Sequence, residues 1–257
     1  MKTVSEIKAE LETVTEEELE ELIAKYRQDG RAGVRRLAES AQKKLAKLEA
    51  ERKRMWQMTG YEREYAYLGR ICGIDEAGRG PLAGPVVAGA VILPADQPIL
   101  WLNDSKQLSA RRREELYDVI MEKAVAVGVG YASPARIDEI NILQATYEAM
   151  REAVAGLRVS PQALLNDAVK IPGIDLPQIP IIRGDAKSAS IAAASIVAKV
   201  TRDRLMVEYD KIMPQYGFAS NKGYGSPSHI EALKKYGPSP IHRATFITHF
   251  VGEGKNE

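Results

Sequence analysis

The stretch Gly73 to Gly80 reads GIDEAGRG, two adjacent carboxylates and then an arginine held between two glycines. A lone Asp-Glu pair is most simply a polar strand end that caps a neighbouring helix. The pattern recurs, however. LLND closes an apolar run on Asp167, and PIIRGD closes another on Asp185, with a helical pattern directly after it. In an α/β sheet, ligands gather beyond the carboxyl ends of strands. Carboxylates brought together there repel one another unless cations neutralise them. Oxygen donors without a Cys/His cluster select magnesium or manganese over zinc. Two such ions about 4 Å apart are the usual device for in-line attack on a phosphodiester.

Side chains alternate faces along a strand, so Asp75 and Glu76 can serve one site only if the strand ends by Glu76. The elements that must place these acids are visible in the hydrophobic pattern. Short β-rich runs lie at 71–74, 86–93, 124–131, 163–166 and 179–182, and helical patterns at 109–123, 137–156 and 189–212. The first two runs are close enough for a hairpin, and the later ones alternate with helices. The expected fold class is α/β, one mixed sheet flanked by helices.

Residues 1–60 have a different texture and are expected to form an N-terminal helical appendage. Thr15 with Glu18 is a capping-box start, Asp29-Gly30 a stop, and 31–58 a long amphipathic helix. Glutamates crowd the first 24 residues and Lys/Arg the next 30. The basic block is a solvated helix face or a surface that tracks phosphates. Net charge is +1, 45% of residues are hydrophobic, and the length suffices for a core without disulfides. Cys72 is the only cysteine and reads as a small buried apolar residue rather than a nucleophile. No apolar run approaches a membrane span and the N-terminus carries no signal-peptide core. A cytoplasmic monomer without membrane contact is expected.

The motifs GIDEAGRGPLAGPVVAGAVIL, NDSKQLS, RGDAKSASIAAASIVAKVTRDR, GYGSPSH and PSPIHRATF together resemble bacterial ribonuclease HII. The resemblance covers about residues 65–250, and 65–257 is expected to be the catalytic domain. It implies the ribonuclease H-like fold with a five-stranded mixed sheet. It also implies endonucleolytic cleavage of RNA in RNA–DNA hybrids and 5′ of single ribonucleotides embedded in duplex DNA, leaving 5′-phosphate and 3′-hydroxyl ends. Matched by motif, Asp75, Glu76, Asp167 and Asp185 would hold two Mg2+ or Mn2+ ions, with Asp75 bridging them. Many relatives have glycine after the third aspartate where this chain has Ala168. Asp175 in the PGIDLP loop is a competitor for Asp167, but a strand end fixes a ligand and that loop does not.

The resemblance assigns ribose readout to Gly78-Arg79-Gly80 and to Tyr224. Glycine lets main-chain groups approach sugar and phosphate, and the 2′-hydroxyl separates RNA from DNA. Tyr224 would pack on the sugar after the ribose. Lys106, Lys187 and Ser188 are candidate phosphate contacts. His242 reads as structural or as a support behind the site residues, and Ala192 to Ser195 as close helix–sheet packing. Residues 1–60 would extend the nucleic-acid footprint, dock on the catalytic domain, or bind a protein partner. Three rivals remain: the sibling ribonuclease HIII, a nucleic-acid-binding protein without catalysis, and a phosphate loop, against which the missing Lys-Ser/Thr ending argues.

Overall fold

The computed structural model describes residues 2–251. The chain divides into two compact units, Met1–Trp56 and Gln57–Glu257. In the first, α1 (Val4–Thr13), α2 (Glu16–Arg27) and the greater part of α3 (Ala32–Met58) enclose a small core of Ile7, Leu11, Tyr26, Val34 and Ala38. Thr3 and Thr15 each open a helix with a capping box, answered by Glu6 and Glu18. The two charge blocks answer each other in part. Arg52 forks onto Glu16 at 2.5 and 2.6 Å, while Arg31 forks locally onto Asp29, within the basic stretch itself.

The second unit opens with α4 (Gly60–Glu64) and is built on five strands: β1 (Ile71–Ala77), β2 (Val86–Ile92), β3 (Ala126–Ala132), β4 (Ala163–Asp167) and β5 (Gln178–Ile181). Their order is β3-β2-β1-β4-β5, antiparallel from β3 to β1 and parallel from β1 to β5. This is the mixed sheet that the pattern predicts. The helices are α5 (Ala110–Lys123), α6 (Pro134–Ala155), α7 (Ala189–Ile212), α8 (Phe218–Asn221), α9 (Pro227–Tyr236) and α10 (Ala244–Ile247). No helix among the described residues is long and apolar enough to cross a membrane.

Helix α6 covers β3 and β2, and α7 lies across β1 and β2. Alternation divides β1 between them. Cys72 and Ile74 join the core beneath α6, with Ala88, Leu164 and Met150. Gly73 faces α7 so closely that a Cβ on it would fall 2.1 Å from the Ser190 carbonyl carbon. Only glycine fits there, and the small residues of Ala192 to Ala194 serve the same close approach. The start of α7 is anchored by Glu62 of α4. Its Oε1 accepts from the Ser188 hydroxyl at 2.6 Å, the Ser190 hydroxyl at 2.7 Å and the Ser190 amide at 2.8 Å. A carboxylate also suits the positive end of the helix.

Two expectations need correction. β1 does not end by Glu76: its ladder with β2 runs on to Ala77↔Val87, and the chain turns only at Gly78, where φ is 93°. On its other edge, however, the pairing with β4 stops at Ile74↔Asn166. Asp185 does not close a strand. β5 ends at Ile181, Arg183 takes a left-handed conformation (φ 55°), and Asp185 sits in the 3-10 turn Gly184–Ala186 that leads to α7.

Ala168 is also left-handed, with φ 58°. A Cβ is strained in that region and glycine is not. We therefore expect Ala168→Gly to raise stability by about 0.5 kcal/mol net of the extra backbone entropy, a gain of roughly 1–2 °C in melting temperature by scanning calorimetry.

Candidate active site

Asp75 and Asp167 occupy the same face of neighbouring parallel strands. Their predecessors Gly73 and Leu165 are register partners, and Leu165 packs with Ile191 of α7, so both acids lie on the α7 side. Asp167 then reaches the next element: its Oδ1 accepts from the Gly184 amide at 2.7 Å, fixing the turn that carries Asp185. Glu76 follows Asp75 on the opposite face of the pleat, paired with Ala88, and its Oε1 is 3.2 Å from Arg79 Nη1.

These acids sense one another. Burial first, then the charges of Glu76 and Asp167, push the Asp75 carboxyl well above the usual carboxylate range, with Ser195 and the Glu76 amide, which donates to Oδ1 at 2.8 Å, in opposition. Burial raises Glu76, with Arg79 and Lys106 opposing and Asp167 assisting. Asp185 is raised by burial, then by Asp104 and Asp167, with Lys106 in opposition. Lys106 Nζ lies 3.5 Å from Asp185 Oδ2 and 4.0 Å from Asp104 Oδ1. Exposed Asp175 does not enter this set.

The side chains do not close into a finished cage. Among the described residues, no three Cys, His, Asp or Glu groups are gathered tightly enough to hold an ion. The donor chemistry nevertheless fits a divalent cation. The donors are hard oxygens that share buried space and raise each other's proton affinity, as uncompensated negative charge does.

The substrate-facing candidates fall into two groups. Gly78, Arg79 and Gly80 form the turn after β1, and Tyr224 lies beside it: a Cβ on Gly80 would be 3.9 Å from Tyr224 Cε1. Tyr224 is 48% exposed, so its ring is available to a ligand. Lys106, beside Asp185, and Lys187 are both exposed. Ser188 is not available as a phosphate contact. It is fully buried, its hydroxyl donates to Glu62, and it accepts from the Ile191 amide as the cap of α7.

Several residues at the site were not singled out from the sequence. Asp104, two residues before Lys106 in NDSK, faces Asp185. Ser195, expected only as packing, lowers the proton affinity of Asp75 and donates to the Ser105 hydroxyl at 2.9 Å. Two buried arginines hold the glycine turn and its continuation. Arg243 donates to the carbonyls of Arg79 (2.8 Å), Gly78 (2.5 Å) and Gly84 (3.0 and 2.9 Å). Arg202 donates to those of Pro85, Ala83 and Lys222. Cys72 is fully buried, and desolvation pushes its thiol up to about 12, which leaves it no nucleophilic role at neutral pH.

With this geometry in place, the comparisons with known proteins decide the family. The family model for ribonuclease HII matches residues 72–249, and that for the ribonuclease HII N-terminal domain matches residues 3–66. The chain belongs to the ribonuclease HII family. It is 64% identical over 244 residues to ribonuclease HII of Lachnoclostridium phytofermentans, covering 95% of this chain and 96% of that one. Ribonuclease H2 of Pyrococcus horikoshii is a structural neighbour at 30% identity and TM-score 0.58, over 68% of this chain and 93% of its own. A Bst-RNase HIII structure in complex with Mn2+ shares the fold at 16% identity and TM-score 0.54, over 69% of this chain and 67% of its own. As a member of this family, the chain is an endonuclease of the ribonuclease H type, a hydrolase acting on RNA–DNA hybrids.

Proposed function

We propose that this family member incises duplex DNA on the 5′ side of single embedded ribonucleotides, as well as cutting hybrid tracts, with two divalent cations held by Asp75, Glu76, Asp167 and Asp185. The observation that carries the reading is the placement of Asp75 and Asp167 on one face of adjacent strands, with Asp167 tied to the turn of Asp185. Mg2+ or Mn2+, when bound, would activate water and stabilise the leaving 3′-oxygen.

The chain's own residues supply the rest. The Glu76 amide, donating to Asp75 Oδ1 at 2.8 Å, orients the Asp75 carboxylate. Arg79 and Lys106 set partial positive charge at the rim, where a scissile phosphate would approach. The Gly78-Arg79-Gly80 turn presents main chain beside the exposed Tyr224 ring, a pairing suited to reading a 2′-hydroxyl and stacking on the following sugar. Lys187 extends the basic rim, and Ser188 holds α7 in place.

The test is a duplex carrying one ribonucleotide, labelled at each end in turn, with Mg2+, with Mn2+, and with a chelator. Cutting 5′ of the ribonucleotide to leave 3′-hydroxyl and 5′-phosphate ends, abolished by the chelator, is expected. Cleavage of hybrid tracts with the single-ribonucleotide duplex left intact would reject the junction reading. Undiminished cutting in chelator would reject the metal reading.

A further inference from the structure

A pair of buried histidines outside the carboxylate site ends on the residue proposed to read the junction. His229 is fully buried and His242 is 6% exposed, and their Nε2 atoms are 3.0 Å apart. The hydrogen-bond order follows from the two ends. The Ser239 amide can only donate, and it lies 2.9 Å from His242 Nδ1, so that nitrogen accepts. The proton of His242 is then on Nε2 and is donated to His229 Nε2. His229 must carry its own proton on Nδ1, 2.8 Å from the Tyr224 carbonyl, which can only accept. One arrangement of two neutral rings satisfies the whole chain. Burial lowers both rings' proton affinity, as this order requires.

The same short segment also holds the other half of the reading surface. Next to His242, Arg243 grips the carbonyls of Gly78 and Arg79, and its amide donates to Leu82 at 2.9 Å. The Leu82 amide in turn donates to Gly223 at 2.8 Å. The glycine turn and the tyrosine loop are therefore both set from residues 239–243. The rings of Tyr216 and Phe218 pack against the two histidines, which limits how far either can swing.

We propose that His229 and His242 are positioning residues for ribose readout, fixing the Tyr224 main chain so that its ring meets the sugar beyond the ribonucleotide. This rests on the junction reading given above for Tyr224. Neither histidine touches substrate; both act through the Tyr224 carbonyl. Losing one such buried hydrogen bond should cost about tenfold in the property it positions.

The readout is kcat/KM on the single-ribonucleotide duplex divided by kcat/KM on a uniform hybrid. His229→Leu should lower this ratio about tenfold. His229→Asn, whose amide can replace the Nδ1 donor, should restore most of it. Adding His229→Leu to Tyr224→Ala should leave the ratio where Tyr224→Ala alone puts it, because the histidine acts through the tyrosine. His242→Asn, which keeps an acceptor for Ser239 but removes the Nε2 donor, should lower the ratio even if the leucine variant fails to fold. A wild-type ratio in His242→Asn, or full additivity in the double variant, overturns the proposal. If Tyr224→Ala itself leaves the ratio unchanged, the junction reading fails and the proposal falls with it.

Discussion

Asp75→Asn is expected to abolish cleavage, by at least about 10³-fold, the upper range for removing one electrostatic stabiliser of a transition state, while raising the melting temperature of the metal-free protein. Both effects have one cause. Asp75 is buried beside Glu76 and Asp167, and its proton affinity is raised above that of a free carboxyl. Stability from such a group is fully present below the unfolded-state pKa of about 4. It is lost as pH rises through the folded-state value, because ionisation then places a charge among like charges. At pH 7.5 the native aspartate is a standing cost that asparagine lacks. The stabilisation seen in Asp75→Asn should therefore shrink as pH falls toward about 4. Thermal melts across pH, paired with single-turnover cleavage, check both halves. Lost activity together with a lower melting temperature at pH 7.5 would mean that the residue is structural.

The second large effect is expected at Arg243, far from the acids in sequence. Its guanidinium is fully buried and makes four hydrogen bonds to three main-chain carbonyls. Burial, and then the charge of Arg202, disfavour its protonated form, so those carbonyls are what make it tolerable. Arg243→Leu removes the donor and leaves the carbonyls of Gly78 and Gly84 buried and unmatched, and that of Arg79 without its partner. At about 1–3 kcal/mol for each such group, partly relieved by relaxation, a loss of roughly 3 kcal/mol is expected. For a chain of this size that is about 6–12 °C in melting temperature. Arg243→Lys should rescue little, since an ammonium cannot reproduce the fork. Urea denaturation and cleavage below the new melting temperature separate the two consequences. At that temperature, cutting at single ribonucleotides should fall further than cutting of hybrid tracts, because the glycine turn has lost its support.

What was legible in the sequence was what local pattern carries. Short β-rich apolar runs locate the five strands, and the capping box at Thr15 marks a helix start directly. Asp167 could be found as the acid ending an apolar run. Asp185 carried the same signal for a different reason, since a left-handed turn at Arg183 separates it from its strand. The end of β1 is not legible because β2 supports one edge of the strand beyond the point where its pairing with β4 stops, and a single-strand pattern does not record its neighbours. Ser188 looked like a surface serine because its partner, Glu62, lies 126 residues away. Arg202 and Arg243 left no signal as loop supports, since they bind main-chain carbonyls, which have no letter in the sequence. Asp104 and Ser195 were hidden likewise, one in a turn and one in a helix, brought to the acids only by tertiary packing.

The proposal that these acids form one two-cation centre is tested most directly by manganese anomalous scattering from crystals of the protein with an uncleavable ribonucleotide-containing duplex. Two peaks are expected, both touching Asp75, with Glu76, Asp167 and Asp185 completing their ligands and the ribonucleotide beside Gly78 to Gly80 and Tyr224. Peaks away from Asp75, or a single peak with Asp167 and Asp185 both outside its coordination shell, would contradict it.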